Sequence, residues 1–236
     1  MVAESDWELV KQGRFEEAIQ RIDEVYAKTQ NESPLRNKVL ALLLLERYGE
    51  AQSLSEWLVV QTNGRLERDF INSGIASWLS GAREQAVAHW QEAQRVKRYT
   101  DAAGGLMVPM LLSYGALRLN DATLARQARV RIAMCCRDSR AVNWPGPLGR
   151  FVLGDLDERE LLALVTPQPI LHERYMCSAC FWIAAAMSNT DQIRSLELMR
   201  KAVTFAPPAY LEYEYYLAKG EVMRADDRPR GRHQTG

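Results

Sequence analysis

The sequence predicts an all-α fold, an α-solenoid of stacked antiparallel helix pairs, on three observations. Apolar residues recur at intervals of three and four, and no segment alternates apolar with polar as a half-buried strand would. Glycine, asparagine or proline punctuates the apolar stripes at the spacing that short helix–helix turns require. The stripes also repeat with a period near 34 residues, which means helix pairs that each need a neighbour to bury their second face.

The first stripe holds Phe15, Ala18, Ile19, Ile22, Val25 and Tyr26, between Gly13 and the Asn31–Pro34 segment. The second holds Ala51, Leu54 and Leu58, after Tyr48-Gly49 and before Asn63-Gly64. Ala86, Trp90, Ala93 and Val96 form the third, preceded by Gly81. Ala18 and Ala51 are 33 positions apart, Ala51 and Ala86 are 35. A small residue at that register admits the partner helix closely, and a large one four positions later (Ile22, Trp90) fills the gap; Ser55 is the exception.

With these residues in view, the chain resembles the tetratricopeptide repeat family. The best copy spans 67–100, with Phe70, Gly74, Gly81, Ala86, Trp90 and Ala93 at the family's positions. A second spans 176–209, with core places at Ala179, Ile183, Ala186, Met199 and Ala202 and the closing proline at Pro207. Poorer copies cover 1–34, which keeps Gly13, Phe15 and Ala18, and 35–66, which has Val39 and Ser55 against the pattern. The resemblance implies a right-handed, tetratricopeptide-like solenoid of about ten to twelve helices in a single domain over 1–224.

The middle departs from the period. Asp101-Ala102-Ala103-Gly104-Gly105 lengthens the spacing before a fourth pair at 105–140, with Pro109 expected harmlessly in a first helical turn. A helix-pair insert at 141–170 opens on Trp144-Pro145-Gly146-Pro147-Leu148 and continues through Phe151 and Gly154 to a helix from Asp157 to Val165. This stretch, with the repeat and the Tyr-rich helix after it, is similar to the C-terminal part of bacterial tetratricopeptide proteins of the lipoprotein type. The helix at 210–224 is expected to cap the last repeat, and 225–236 reads as a disordered tail.

Composition narrows the function classes. The 236 residues are 47% hydrophobic and 25% charged, and 30 Lys plus Arg balance 30 Asp plus Glu. Zero net charge argues against bulk attraction to nucleic acid or anionic membrane. The longest apolar run, Val39–Leu45, is far short of the roughly 20 residues that span a bilayer, and reads as core packed from two sides. The acidic, polar N-terminus shows no secretory pattern, so the cytoplasm is the expected location, with Cys135, Cys136, Cys177 and Cys180 as reduced thiols.

A cysteine cluster is the one candidate for chemistry. Cys177-Ser178-Ala179-Cys180, with Cys136 and His172, could supply zinc ligands or a redox pair. The CxxC lies inside an apolar helical run, however, and no strand precedes it as in a thioredoxin-type site, so buried thiols are the expectation. The histidines (His89, His172, His233) join no nucleophile or metal-binding pattern. No catalysis, cofactor or metal is expected.

Charge distribution says more than its sum. Residues 1–34 hold eight acidic residues against four basic ones, and residues 115–140 hold six arginines against two aspartates. An arginine-rich middle suits bidentate contact with an acidic partner. The alternative is that Arg126, Arg129, Arg137 and Arg140 are merely the solvated side of one helix. Solenoids of the resembled family bind peptides or protein surfaces along the concave side, which makes Arg36, Arg68, Asn72, Tyr114, Arg118 and Tyr175 the inward-facing candidates.

The expected function is therefore a protein-interaction module, an adaptor or scaffold, acting through the concave or the arginine-rich face. An immunity-type protein that neutralises a cognate bacterial toxin is the alternative within that class. The expected partner is a protein or peptide, an acidic one where the arginine-rich face is used, with no nucleic acid or membrane. The chain itself is expected to be a monomer or weak homodimer.

Overall fold

In the computed structural model the described residues are 4–96 and 105–227. They form thirteen α-helices and no strand. The first six are α1 (Asp6–Lys11), α2 (Phe15–Thr29), α3 (Leu35–Leu44), α4 (Tyr48–Gln61), α5 (Glu67–Leu79) and α6 (Arg83–Ala93). Then come α7 (Met107–Leu119), α8 (Ala122–Cys136), α9 (Gly146–Leu153), α10 (Glu158–Ala163), α11 (Pro169–Met187), α12 (Gln192–Val203) and α13 (Tyr213–Asp226). The count exceeds the expected ten to twelve, and the six-residue α1 is a separate helix ahead of the first apolar stripe.

Local chemistry accounts for the ends. Ser5, Asp121 and Asp191 cap α1, α8 and α12 by accepting from backbone N–H groups one turn in. Asp157 and Glu160 form a reciprocal capping box on α10. Pro169 opens α11, where its missing N–H costs nothing. Pro109 falls in the first turn of α7 for the same reason.

Consecutive helices touch throughout, from α1 to α13, and α3 contacts both α1 and α5, so alternate helices form one layer of a solenoid-like stack. The register of small residues works sterically. Ala18, Ala51 and Ala86 are fully buried, as are Ile22, Ser55 and Trp90. A Cβ on Gly74 would lie only 2.1 Å from Nε1 of Trp90, so glycine is required for α5 to meet α6 at this distance. Among the repeat positions in α11, Ala186 is the exception: it is exposed, and Ala185 beside it turns inward instead.

The Tyr-rich C-terminal segment differs from a simple end cap. Residues 208–211 make a 3-10 turn, and α13 then runs on to Asp226, past the expected boundary, with Arg200 of α12 paired to Asp226. Helix α13 packs on α11 and α12 but also crosses to α5. Lys219 donates to the Leu44 carbonyl at 3.1 Å and pairs with Glu46. Glu221 accepts from Tyr114 and Arg118 of α7, and Tyr210 meets the ring of Phe15 edge-on. A Cβ on Gly220 would approach Leu79 to 2.5 Å, so the crossing is close. The helix thus lies in the hollow of the stack. The expected linker at 101–104 and the tail from 228 onward lie outside the described residues.

Candidate functional site

The six residues expected to line the concave side divide between two cavities, Tyr114 and Arg118 at one and the other four at a second, and they are not equally free. Arg36 is buried and bound bidentately to Asp69, both contacts at 2.7 Å. Tyr114 is buried and donates to Glu221, and Arg118 pairs with the same carboxylate. These three side chains are spent on internal contacts, a correction to their reading as open partner-binding positions. The physical reason is α13: a sequence period locates an inner face but does not reveal a later helix laid upon it.

Arg36, Arg68, Asn72 and Tyr175 come together with the start of α13 around one cavity of about 390 Å³. That volume falls in the usual range for small-ligand sites. Tyr175 stacks on Trp144, with ring centroids 4.4 Å apart and planes 9° from parallel, and the pair makes one apolar wall. Arg68 is exposed, with no hydrogen-bond or ion-pair partner among the described residues. Asn72 is 2% exposed and its Oδ1 has no donor. Glu214, which sequence reasoning did not single out, is fully buried; its Oε1 accepts from Nε1 of Trp182 at 2.9 Å, and its Oε2 has no partner. Nothing in the pattern Tyr213-Glu214-Tyr215 marks Glu214 as inward except its place in an aromatic run.

Burial, and then the neighbouring Glu212 carboxylate, push Glu214 up from its ordinary value of 4.5 to about 7, against a smaller opposing pull from the Trp182 N–H. The folded protein therefore holds a proton that the unfolded chain has already lost between these two values. Stability falls as pH rises through that window and levels off above it. We expect the unfolding free energy of wild type, relative to Glu214→Gln, to drop by about 2–3 kcal/mol between about pH 5 and pH 8. Urea denaturation of both proteins across that range checks this; parallel curves would refute it.

The arginine-rich segment maps mainly to α8. Arg126, Arg129 and Arg137 line a groove between α8 and α9 together with Arg150, which the sequence reading did not include. Arg126 and Arg137 are exposed and Arg150 is half-buried, and none of the three has a hydrogen-bonded or ion-paired partner among the described residues. Arg129 donates to the carbonyl of Leu153 at 2.6 Å, a cation bracing the C-terminal end of α9. Arg140 lies beyond α8, in the 3-10 turn Ser139–Val142, where it binds Asp138; it is not part of the helical face. Val130 is 60% and Met134 54% exposed on the same helix, an apolar strip beside the guanidinium groups.

The cysteines divide between two places. Cys177 and Cys180 are buried on α11, and burial raises both thiols, Cys180 to about 11. Cys136 is half-buried near Gly149, and burial likewise raises it to about 11. Thiols held this far above neutrality are protonated and weakly nucleophilic. His172 is exposed at the start of α11, with Nδ1 2.9 Å from the Thr166 carbonyl. Among the described residues no three His, Cys, Asp or Glu side chains converge as metal ligands, and no helix is long and apolar enough to cross a membrane.

No protein-family model matches the chain, and no curated protein is significantly similar to it.

Proposed function

We propose that this chain is a non-catalytic, tetratricopeptide-like protein-interaction module, and that it holds an acidic segment of a protein partner in the groove between α8 and α9. One observation carries the reading: Arg126, Arg137 and Arg150 surround that groove without any carboxylate ion-paired to them among the described residues. Elsewhere on this molecule arginines are commonly matched, as Arg14, Arg47, Arg174 and Arg194 are with Glu17, Glu50, Glu212 and Glu158. Unmatched guanidinium groups beside exposed Val130 and Met134 resemble a protein-binding surface, which combines an apolar centre with charged recognition at its margin. Arginine suits the role because its planar fork binds a carboxylate with two parallel hydrogen bonds.

Capture from extracts of the native cell, compared between wild type and an Arg126→Glu/Arg137→Glu variant, tests this directly. Both positions are exposed, so the reversal leaves thermal stability close to wild type. The expected result is loss of the captured partner, together with binding to the wild type that weakens steeply as salt is raised. Undiminished capture by the reversed variant would remove the groove from consideration. Arg129 is left intact in this variant because its loss would loosen α9 as well.

A further inference from the structure

A cavity of about 250 Å³ lies where α13 meets α7, completed by the start of α6 and the turn from α11 into α12. Three arginines line it, Arg83, Arg118 and Arg224, against one carboxylate, Glu221. All three are half-buried, so this is not a solvated helix face. Glu221 is fully engaged: Tyr114 and Arg224 donate to its Oε1, and Arg118 to its Oε2. Each of these two arginines gives Glu221 one nitrogen and keeps the rest of its fork without a hydrogen-bonded partner among the described residues. Arg83 has no hydrogen-bonded or ion-paired partner there at all. Its guanidinium lies 5.3 Å from the centroid of the Trp78 ring, which covers one face and leaves the N–H edge uncommitted. Arg118 and Arg224 stand in the last turns of α7 and α13, where the helix dipole favours a cation. Arg83 is the first residue of α6, where the dipole opposes one, so local helix stability does not account for it. Three guanidinium groups around one engaged carboxylate repel one another, and an entering anion relieves that repulsion.

From this geometry we infer that the cavity binds a phosphoryl group, carried either by a small phosphate monoester or by a phosphorylated side chain of a partner protein. Three cations and one carboxylate leave two positive charges, close to the charge that a phosphate monoester offsets at neutral pH. A phosphoryl group offers three acceptor oxygens, one toward each fork, whereas a carboxylate offers two in one plane and suits a single arginine. The volume is below the roughly 300–1,000 Å³ of sites for drug-sized ligands, so the cavity suits a compact headgroup. The rim toward α12 is uncharged, with Asn189 and Gln192 as exposed amides. No residue of the α8–α9 groove lines this cavity, so its occupation is independent of the acidic partner there.

The test uses the full chain at fixed ionic strength, titrated by calorimetry with glycerol phosphate and with the peptide Gly-phosphoserine-Gly. Unphosphorylated Gly-Ser-Gly and succinate are the matched controls. The expected result is saturable binding of at least one phosphate ester, about tenfold or more tighter than succinate, and none of Gly-Ser-Gly. Arg83→Gln breaks no hydrogen bond or ion pair among the described residues, and it weakens the binding by about tenfold or more. Gln192→Glu sets a negative charge on the exposed rim and weakens it by about threefold or more, which keeps the inference testable if the Arg83 variant folds poorly. Binding of glycerol phosphate alone identifies a free monoester as the source, and binding of the phosphopeptide a side chain that enters from a partner. Equal affinity for phosphate esters and succinate, wild-type affinity in both variants, or no saturable binding by either ester overturns the inference.

Discussion

Replacing Asp69 with alanine destabilises the protein by about 3–5 kcal/mol, read as a fall in the urea midpoint with an unchanged slope. Asp69 is fully buried on α5 and grips Arg36 of α3 through two hydrogen bonds of 2.7 Å. It also lies 3.4 Å from the Thr62 hydroxyl at the end of α4. The alanine leaves a guanidinium that is 6% exposed without a counter-charge, held only by a long 3.4 Å hydrogen bond to the Glu32 carbonyl. The pair itself is a different matter. Removing both charges together, as Arg36→Met with Asp69→Leu, costs far less in a double-mutant cycle, because desolvation of the intact pair offsets most of its attraction. A small effect of Asp69→Ala alone would mean that water reaches Arg36.

The second large effect is expected at Trp78, where alanine costs about 3–5 kcal/mol. Its ring is fully buried, 5.5 Å from the Trp90 ring on α6 and 5.2 Å from Tyr114 on α7. Tyr114 in turn meets Phe181 of α11 at 5.1 Å, and Phe181 meets Trp182. Rings in these offset and edge-on arrangements contribute about 0.5–1.5 kcal/mol per pair beyond the area they bury. The row links α6, α5, α7 and α11 across segments far apart in sequence. Truncation at Trp78 therefore lowers the near-ultraviolet circular dichroism of the whole row as well as the thermal midpoint. A variant that lost stability but kept that signal would show that the rings are packed independently.

Much of the fold was legible because its determinants are local or periodic. The Ala18, Ala51 and Ala86 register and the Gly74–Trp90 pairing are written as spacings, and the structure places them as those spacings require. Capping aspartates and first-turn prolines are likewise readable within a few residues. What was not legible depends on long-range docking. Glu221 looks like an ordinary surface carboxylate on α13, yet it receives Tyr114 and Arg118 from more than 100 positions away. The same docking turned predicted ligand positions on α7 into internal contacts. At the candidate sites, the pattern found Arg68, Asn72, Tyr175, Arg126 and Arg137 but missed Glu214 and Arg150, since neither belongs to the motif that singled out its neighbours.

The position of α13 changes how the solenoid must assemble. A simple stack of repeats grows by nearest-neighbour addition and can begin anywhere along its length. Here, contacts such as Tyr48 to Met223 and Lys219 to Leu44 close a loop of 175 positions. Long loops of this kind slow folding, because the entropy of closure is lost before the contacts form. During synthesis the N-terminal repeats are made first, with their hollow unfilled until α13 follows. Completion of this fold is thus a late, chain-wide event rather than the sum of its repeats.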